Sequence, residues 1–262
     1  MIDYRNYLQK ESYSSSTIES YTKGAENFIK WCKRNHTTPD LIDYKTSLKF
    51  IKYLQRKGTT KKTVKHQIGT LKIYFKYLLS ENYRIDNPVE NINIKGVKRT
   101  INYNLLEADE LEDLYYSYET ENIKDSYHKL TAKRNKIIVG LLVYQGLNTS
   151  ELIKLELENL QLYKGKIYIK SGARSNSRIL ELKSWQVIEF LEYIKEIREE
   201  ILTRKSLETN RIFIPNNARL GNTVLAIIKK LKSYNQKVNN IHQIRASVIT
   251  NWLKQYNLRQ VQ

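Results

Sequence analysis

Lysines recur on one side of a helical pattern that runs from residue 60 to residue 79. The apolar residues between them follow the spacing of an amphipathic helix, so one face is predicted to pack while the other carries positive charge. Ammonium groups arrayed in this way can lie along the phosphates of a nucleic acid. The alternative is a solvated face whose lysines reflect an AT-biased coding sequence. The lysines of this surface, the basic face, are Lys61, Lys62, Lys65, Lys72 and Lys76.

The whole chain is strongly basic. Its 262 residues include 45 Lys and Arg against 27 Asp and Glu, a formal net charge of +18 with a pI near 9.7. Residues 1–105 hold 20 basic and 9 acidic side chains, a net of +11 (20 − 9). Such an excess calls for a polyanionic partner or an anionic membrane surface. Because the sequence has no apolar run of about 18 residues and no basic amphipathic anchor, nucleic acid is the predicted partner and a membrane is not.

Composition argues against several other kinds of chemistry. A hydrophobic content of 40% and a charged content of 27% are typical of a soluble globular chain, here long enough for two domains. The single cysteine, Cys32, cannot form an intramolecular disulfide and is predicted to be a core residue. No Cys or His cluster has zinc spacing, so neither a metal nor another cofactor is predicted. The N-terminus lacks the apolar region of a secretory signal, which predicts a cytoplasmic, nucleoid-associated protein.

Apolar periodicity predicts an all-helical first domain over residues 1–93. The first helical pattern follows a run of possible N-cap residues that begins at Ser14, and the second ends before Gly58. The predicted helices of this domain span residues 14–34, 46–57 and 60–79.

A basic linker is predicted for residues 94–104. The turn signal Asp86-Asn87-Pro88 precedes it, and the segment that follows is polar, basic and without sustained periodicity. Its residues Lys98 and Arg99 are predicted to follow the nucleic acid, so that both domains contact a duplex.

Residues 105–262 are predicted to form a second domain, mainly helical with a small antiparallel sheet. The strand signal is the alternation of apolar and polar residues on either side of two polar turns. Its apolar members are Leu160, Leu162, Ile167, Ile169, Ile179 and Leu182. The predicted helices span residues 109–118, 135–144, 149–157, 184–203, 222–231 and 241–256, with a short buried run at 211–214.

This order of elements resembles the tyrosine recombinases, which have a helical, SAM-like core-binding domain, a basic linker and a mostly helical catalytic domain around a small sheet. TIESYTKGAENFIKWC and TTKKTVKHQIGTLKIYFKYLLSENYRIDNPVENI resemble the first and last core-binding helices. YQGLNTSELIKLELENL resembles the first-arginine box, and HQIRASVITNWL resembles the His-x-x-Arg box. Between them, GKIYIKSGARSNSRILEL lies where the family has its β-hairpin and lysine. The resemblance covers nearly the whole chain.

The resemblance implies cleavage and rejoining of double-stranded DNA through a phosphotyrosine. In the family a tyrosine attacks a phosphodiester, two guanidiniums hold the nonbridging oxygens, and a hairpin lysine protonates the leaving oxygen. No metal or nucleotide cofactor is needed, and the family works as a tetramer on DNA. His242 and Arg245 occupy the defining positions of the His-x-x-Arg box, and Glu151 holds the acidic position that supports the site.

Two departures from the family pattern affect the expected catalytic residues. Asn148 stands at the position of the first arginine, where a neutral amide cannot make a bidentate charged contact with phosphate. If Arg178 is aligned with the arginine that closes the family's hairpin, Ala173 falls at the lysine position. Lys170 and Arg174 are then the candidate substitutes for that lysine.

A third departure lies at the end of the sequence. The chain stops at residue 262, where the family continues to its nucleophile. Tyr256 is too close to Arg245 to be that tyrosine, and we expect it to pack against or cap the last helix.

The sequence leaves three hypotheses open. The first is a recombinase whose C-terminal segment is absent, and the second is a recombinase-fold module that occupies or organises a DNA site without cutting it. Asn148 favours the second, because a truncation would not explain a missing arginine. The final residues LRQVQ favour the first, because they resemble the middle of a motif. A helical RNA-binding or regulatory protein unrelated to recombinases is the third.

Overall fold

Two units divide the chain, Met1–Thr100 and Ile101–Gln262, and each has its own hydrophobic core. The structure is a computed structural model that describes residues 1–97, 104–172, 175–216 and 219–256. Both units are mainly α-helical, and the second contains a small antiparallel sheet, which confirms the predicted fold class. Lys98 and Arg99 lie outside the described residues, so the linker at 94–104 stays a prediction.

Helices make up the first unit. The three predicted helices are present, with small differences at their ends, and an additional helix precedes them. That helix was not predicted because its buried stripe consists of little more than Tyr4 and Leu8, too short a pattern to recognise. The helices are α1 (Ile2–Lys10), α2 (Ser15–Arg34), α3 (Tyr44–Arg56) and α4 (Lys61–Ser80), with a 3₁₀ turn at Pro39–Leu41.

Side-chain caps fix where three of these helices begin. The Ser14 hydroxyl accepts a hydrogen bond from the Thr17 N–H at 3.4 Å, and the Thr60 hydroxyl accepts one from the Thr63 N–H at 3.2 Å. The Asp43 carboxylate accepts the Thr46 N–H at 2.7 Å, so α3 begins two residues before the predicted start at 46. Each cap satisfies an N–H group that the first turn would otherwise leave unpaired.

The core of the first unit depends on a close crossing of α2 and α4. A Cβ atom at Gly24 would lie 2.6 Å from the Thr70 Cγ2 methyl, so only glycine allows the two backbones to approach this closely. The Gln67 amide donates to the Gly24 carbonyl at 2.8 Å across the same contact. Cys32 is fully buried in this core, as predicted.

The second unit places a three-stranded sheet beside its helices. The strand order is β1-β2-β3, with antiparallel pairing throughout, which confirms the predicted sheet. Ile169 at the end of β2 pairs with Arg178 at the start of β3. The elements are α5 (Ala108–Tyr116), α6 (Ser126–Val143), α7 (Thr149–Lys154), β1 (Leu160–Gln161), β2 (Lys166–Ile169), β3 (Arg178–Glu181), α8 (Ser184–Glu192), α9 (Arg198–Lys205), α10 (Leu220–Tyr234) and α11 (Ile241–Gln255).

Two helices differ from their predicted form. Helix α6 begins at Ser126, nine residues before the predicted start at 135, because the Asp125 carboxylate caps it by accepting the His128 N–H at 2.7 Å. The predicted helix over 184–203 is interrupted by a π-helical turn at Tyr193–Ile197, which separates α8 from α9. Among the described residues, no helix has both the length and the apolar character needed to cross a membrane.

Helix α11 is fixed to the start of the second unit by buried polar side chains. The Ser247 hydroxyl accepts the Leu106 N–H at 2.9 Å, and the Asn251 amide donates to the Leu106 carbonyl at 3.0 Å. The Gln243 amide donates to the carbonyls of Asn104 and Lys237. Because each of these three α11 residues is buried, the helix has one favoured rotation about its axis.

We predict that Gly24→Ala destabilises the protein by about 1–3 kcal/mol, because the new methyl overlaps the Thr70 methyl. Thr70→Ser removes that methyl, so the Gly24→Ala/Thr70→Ser double variant should recover part of the loss. Urea unfolding followed by circular dichroism measures all four proteins of the cycle. Strict additivity of the two single changes would show that the contact at Gly24 is not the source of the effect.

Candidate functional site

One buried carboxylate, that of Glu151, organises the candidate site. It lies in the first turn of α7 and forms a reciprocal cap with Asn148. The Asn148 Oδ1 accepts the Glu151 N–H at 2.9 Å, and the Glu151 Oε2 accepts the Asn148 N–H at 2.9 Å. This capping box fixes both the start of α7 and the direction of the Glu151 side chain.

Two arginines from distant parts of the sequence bind the same carboxylate. Arg178 at the start of β3 donates from Nη1 to Glu151 Oε1 at 2.9 Å. Arg245 on α11 donates from Nη1 to Glu151 Oε2 at 2.8 Å and to the Gly146 carbonyl at 2.8 Å. Gly146 adopts a positive φ of 59° in the turn before α7, which glycine accommodates without strain. We call Arg178 and Arg245 the arginine pair.

The pKa of Glu151 reflects this environment. Burial raises the pKa of the carboxyl, but hydrogen bonds from Arg178 and the Asn148 N–H, together with the charges of the arginine pair, outweigh it. The pKa therefore lies below the ordinary value for glutamate, and Glu151 stays ionised at neutral pH.

The arginine pair keeps a polar edge towards solvent. The side chains of Arg178 and Arg245 are 21% and 24% exposed, whereas that of Glu151 is only 5% exposed. Two guanidiniums and one carboxylate leave a net charge of +1. Within the described residues, the hydrogen bonds of both guanidiniums to protein atoms all use Nη1, so Nε and Nη2 remain to bind an anion.

The predicted catalytic residues are only partly brought together. Glu151 is hydrogen-bonded to both Asn148 and Arg245 and so links these two residues. His242 lies in the first turn of α11, one turn before Arg245, and is exposed. The Asn240 side chain caps that turn by accepting the Gln243 N–H at 3.0 Å.

Lys170 is paired with acidic groups other than Glu151. It directly follows β2, and its ammonium donates to Glu156 Oε2 at 2.7 Å and to Glu158 Oε1 at 2.8 Å. Hydrogen bonds to Glu156 and Glu158 raise the pKa of Lys170 above its ordinary value. Arg174, the other candidate from the hairpin, lies outside the described residues.

Tyr256 is the first residue after α11. Its N–H donates to the Trp252 carbonyl at 2.8 Å, and the residue is 52% exposed. It therefore caps the last helix rather than packing against it, one of the two expected roles.

The basic face on α4 is largely open to solvent. Lys61, Lys62, Lys65 and Lys76 are exposed. Lys72 is half-buried, and its ammonium donates to the Glu90 carbonyl, so this lysine also holds the segment that leaves the helix.

Arg178 is the site residue that sequence analysis did not identify as functional. In the sequence, Arg178 only serves to align the hairpin with that of the family. Its partner Glu151 lies 27 positions earlier. Arg178 pairs with Ile169 in the sheet and reaches Glu151 at the start of α7, a contact that only the folded structure reveals. Among the described residues, no group of three or more His, Cys, Asp or Glu side chains is placed to hold a metal ion.

Two family models match the chain in the order of its two units. The model described as "Phage integrase, N-terminal SAM-like domain" matches residues 2–85, and that described as "Phage integrase family" matches residues 104–262. The chain belongs to the phage integrase family of tyrosine recombinases. The family resemblance predicted from the sequence is confirmed.

Individual proteins agree with this assignment. The chain is 29% identical over 271 residues to the tyrosine recombinase XerD of Staphylococcus saprophyticus, covering 99% of this chain and 87% of that protein. Among solved structures, the XerH site-specific recombinase bound to its difH substrate is 18% identical with a TM-score of 0.67, over 98% of this chain and 77% of that one. A lambda integrase tetramer bound to a Holliday junction is 14% identical with a TM-score of 0.63, over 99% and 74%. At these identities the structural matches show the shared fold.

We predict that Glu151→Gln destabilises the protein by about 1–3 kcal/mol at pH 7, since it leaves two half-buried guanidiniums without their shared anion. The folded-state pKa of Glu151 is lowered, so its contribution is present above the unfolded pKa of about 4.3 and is lost as the pH falls through the folded pKa. The difference between the two proteins should therefore shrink below about pH 4.

Urea unfolding at several pH values measures this effect. Glu156→Gln is the matched control, because Glu156 pairs with the exposed Lys170 rather than with the arginine pair. A Glu151→Gln penalty that stays constant down to pH 3 would contradict the role of the ionised carboxylate.

Proposed function

We propose that this protein binds double-stranded DNA and acts in DNA integration and site-specific recombination. The observation that carries the proposal is the arginine pair, two guanidiniums held by one buried carboxylate. Its family membership and the XerD, XerH and lambda integrase likenesses support the same function. Assembly of several copies on DNA, and a cytoplasmic, nucleoid-associated location, belong to this proposal.

The proposed chemistry assigns a different task to each group. In the proposed step a tyrosine hydroxyl, a role for which no described residue is assigned, bonds to the phosphorus as the bond to the leaving oxygen breaks. The arginine pair holds the nonbridging oxygens and offsets the charge that develops on them. Exposed His242 is available for proton transfer near that phosphate. Lys170 is the candidate acid for the leaving oxygen, and it must first exchange its two carboxylate partners for DNA.

A second candidate function is supported by Asn148. Its side-chain oxygen caps α7, so the residue serves the fold at the position where a recombinase has a phosphate-binding arginine. Without that charge the protein can occupy or organise a DNA site while cutting slowly or not at all. Loss of one transition-state donor costs roughly 10²- to 10³-fold in rate in other enzymes.

DNA binding should depend steeply on ionic strength, because the charge of +18 and the basic face act through phosphates. We expect Lys65→Gln/Lys76→Gln to weaken binding to a labelled duplex of any sequence and to reduce the slope of log affinity against log salt by about 2. Fluorescence anisotropy between about 50 and 200 mM salt measures this. Lys164→Gln/Lys195→Gln, which removes two exposed lysines from the second unit, is the charge-matched control. Wild-type binding that is insensitive to salt would rule out the electrostatic proposal.

Asn148→Arg should distinguish the two candidate functions. A target duplex is first selected from random DNA with the protein expressed from its complete coding sequence. The protein is then incubated with a nicked form of that duplex, and the protein–DNA band that survives denaturant is quantified. A recombinase gives such a band in the wild type, and Asn148→Arg increases its rate of formation. A binding module gives no wild-type band; if the band forms only with Asn148→Arg, the missing guanidinium is the limiting defect. Asn148→Ser, which keeps a helix cap without a charge, controls for lost capping.

A further inference from the structure

Gly69 lies in the middle of α4 with open space where its side chain would be. A Cβ atom at this position would meet nothing within 4 Å outside its own helix. The residue is exposed, and its φ is not in the left-handed region. Glycine is the least favourable residue in a helix interior apart from proline. Neither packing nor backbone conformation within the described residues therefore explains a glycine here.

Gly24 provides the contrast. It faces Thr70 at the crossing of α2 and α4, and a methyl group there would clash. Gly69 neighbours Thr70 in the sequence but lies about 100° around the helix from it, on the solvent-facing side of α4. The two glycines thus lie on different surfaces, and only Gly24 is required by the fold.

The basic face surrounds Gly69. At 3.6 residues per turn, Lys62, Lys65 and Lys76 all lie within about 40° of Gly69 around the helix axis. Lys65 is about 6 Å before it along the axis and Lys76 is about 10 Å after it, given a rise of 1.5 Å per residue. The gap left by the missing side chain is therefore flanked by ammonium groups in both directions.

We propose that α4 meets duplex DNA at Gly69, where one sugar–phosphate backbone lies directly against the helix between Lys65 and Lys76. This proposal rests on the proposed function and adds the point of closest approach. The sugar–phosphate backbone of DNA fits this surface, because the flanking lysines are positively charged and Gly69 between them has no side chain. The missing Cβ lets phosphates come within reach of both lysines at once, which a longer side chain would prevent.

Substitutions at Gly69 should move stability and DNA affinity in opposite directions. Gly69→Ala and Gly69→Gln both add a better helix former at an exposed site, and we expect each to raise the melting temperature by about 2–4 °C. Gly69→Ala should weaken duplex affinity by about threefold, because its methyl occupies the closest approach, and the longer Gly69→Gln should weaken it by about tenfold and lower the salt slope by 1 to 2. A merely structural glycine would lose stability and affinity together.

Thr63→Gln is the matched control. It adds the same side chain to α4, about 120° around the helix from Gly69, and completes a capping box with Thr60. Its duplex affinity should equal that of the wild type, measured by anisotropy with one labelled duplex for all variants.

The outcomes separate this proposal from the proposed function. If Lys65→Gln/Lys76→Gln weakens binding but Gly69→Gln binds as tightly as the wild type, the close approach at Gly69 is wrong and the basic face stands. If neither change affects binding while the wild type still binds duplex, DNA lies elsewhere on the protein and the proposal is overturned as well. If the wild type does not bind duplex at low salt, the proposed function itself fails.

Discussion

The second unit depends on the pairing of one buried carboxylate with two cations. Glu151 is removed from water, and an unpaired ionised carboxylate in that position would be strongly destabilising. In the part of the chain that the structure describes, three groups supply its hydrogen bonds: the Asn148 N–H, Arg178 and Arg245. They belong to the start of α7, the start of β3 and the second turn of α11. The requirement to satisfy one anion therefore ties together three elements that are far apart in the sequence.

The same interaction prepares the site for a phosphate. A flexible arginine loses side-chain entropy when it binds an anion, and less is lost when one corner of the guanidinium is already held. Glu151 provides this anchor for both members of the arginine pair and still leaves one net positive charge. Asn148 contributes geometry instead of charge, because asparagine is among the best N-cap residues while an arginine would leave the first turn of α7 without its side-chain cap. Residue 148 can therefore either cap α7, as asparagine does, or bring a positive charge to the site, as arginine would.

Local signals made much of the fold predictable. The serine run before α2 and Thr60 before α4 are capping residues whose effect is confined to one turn, and the apolar stripes behind them are long. The alternation of apolar and polar residues around 160–182 likewise predicts the sheet. Helix α1 escaped prediction because nine residues carry too little periodicity, and the first half of α6 escaped because its lysines and polar residues obscure the stripe.

The site was less predictable than the fold for a physical reason. Glu151 and Arg245 were identified because their motifs are local in sequence, but the importance of Arg178 arises from strand register. Ile169 and Arg178 are paired across neighbouring strands, β2 and β3. No property of the segment that contains Arg178 identifies Glu151 as its partner. Long-range ion pairs of this kind depend on the completed fold, so they can be found only after the elements are in place.

The two sets of cations in this chain are suited to different tasks. The lysines of the basic face stand mostly in water on flexible stems, an arrangement that attracts any polyanion but holds no fixed geometry. The arginine pair is held in one orientation by a buried anion and can bind a phosphate only in a limited range of positions. Affinity for a duplex should therefore depend mainly on the lysines, and alignment of one particular phosphodiester on the arginines. A protein that must first bind DNA and then position a single bond needs both, and this chain places them in separate units.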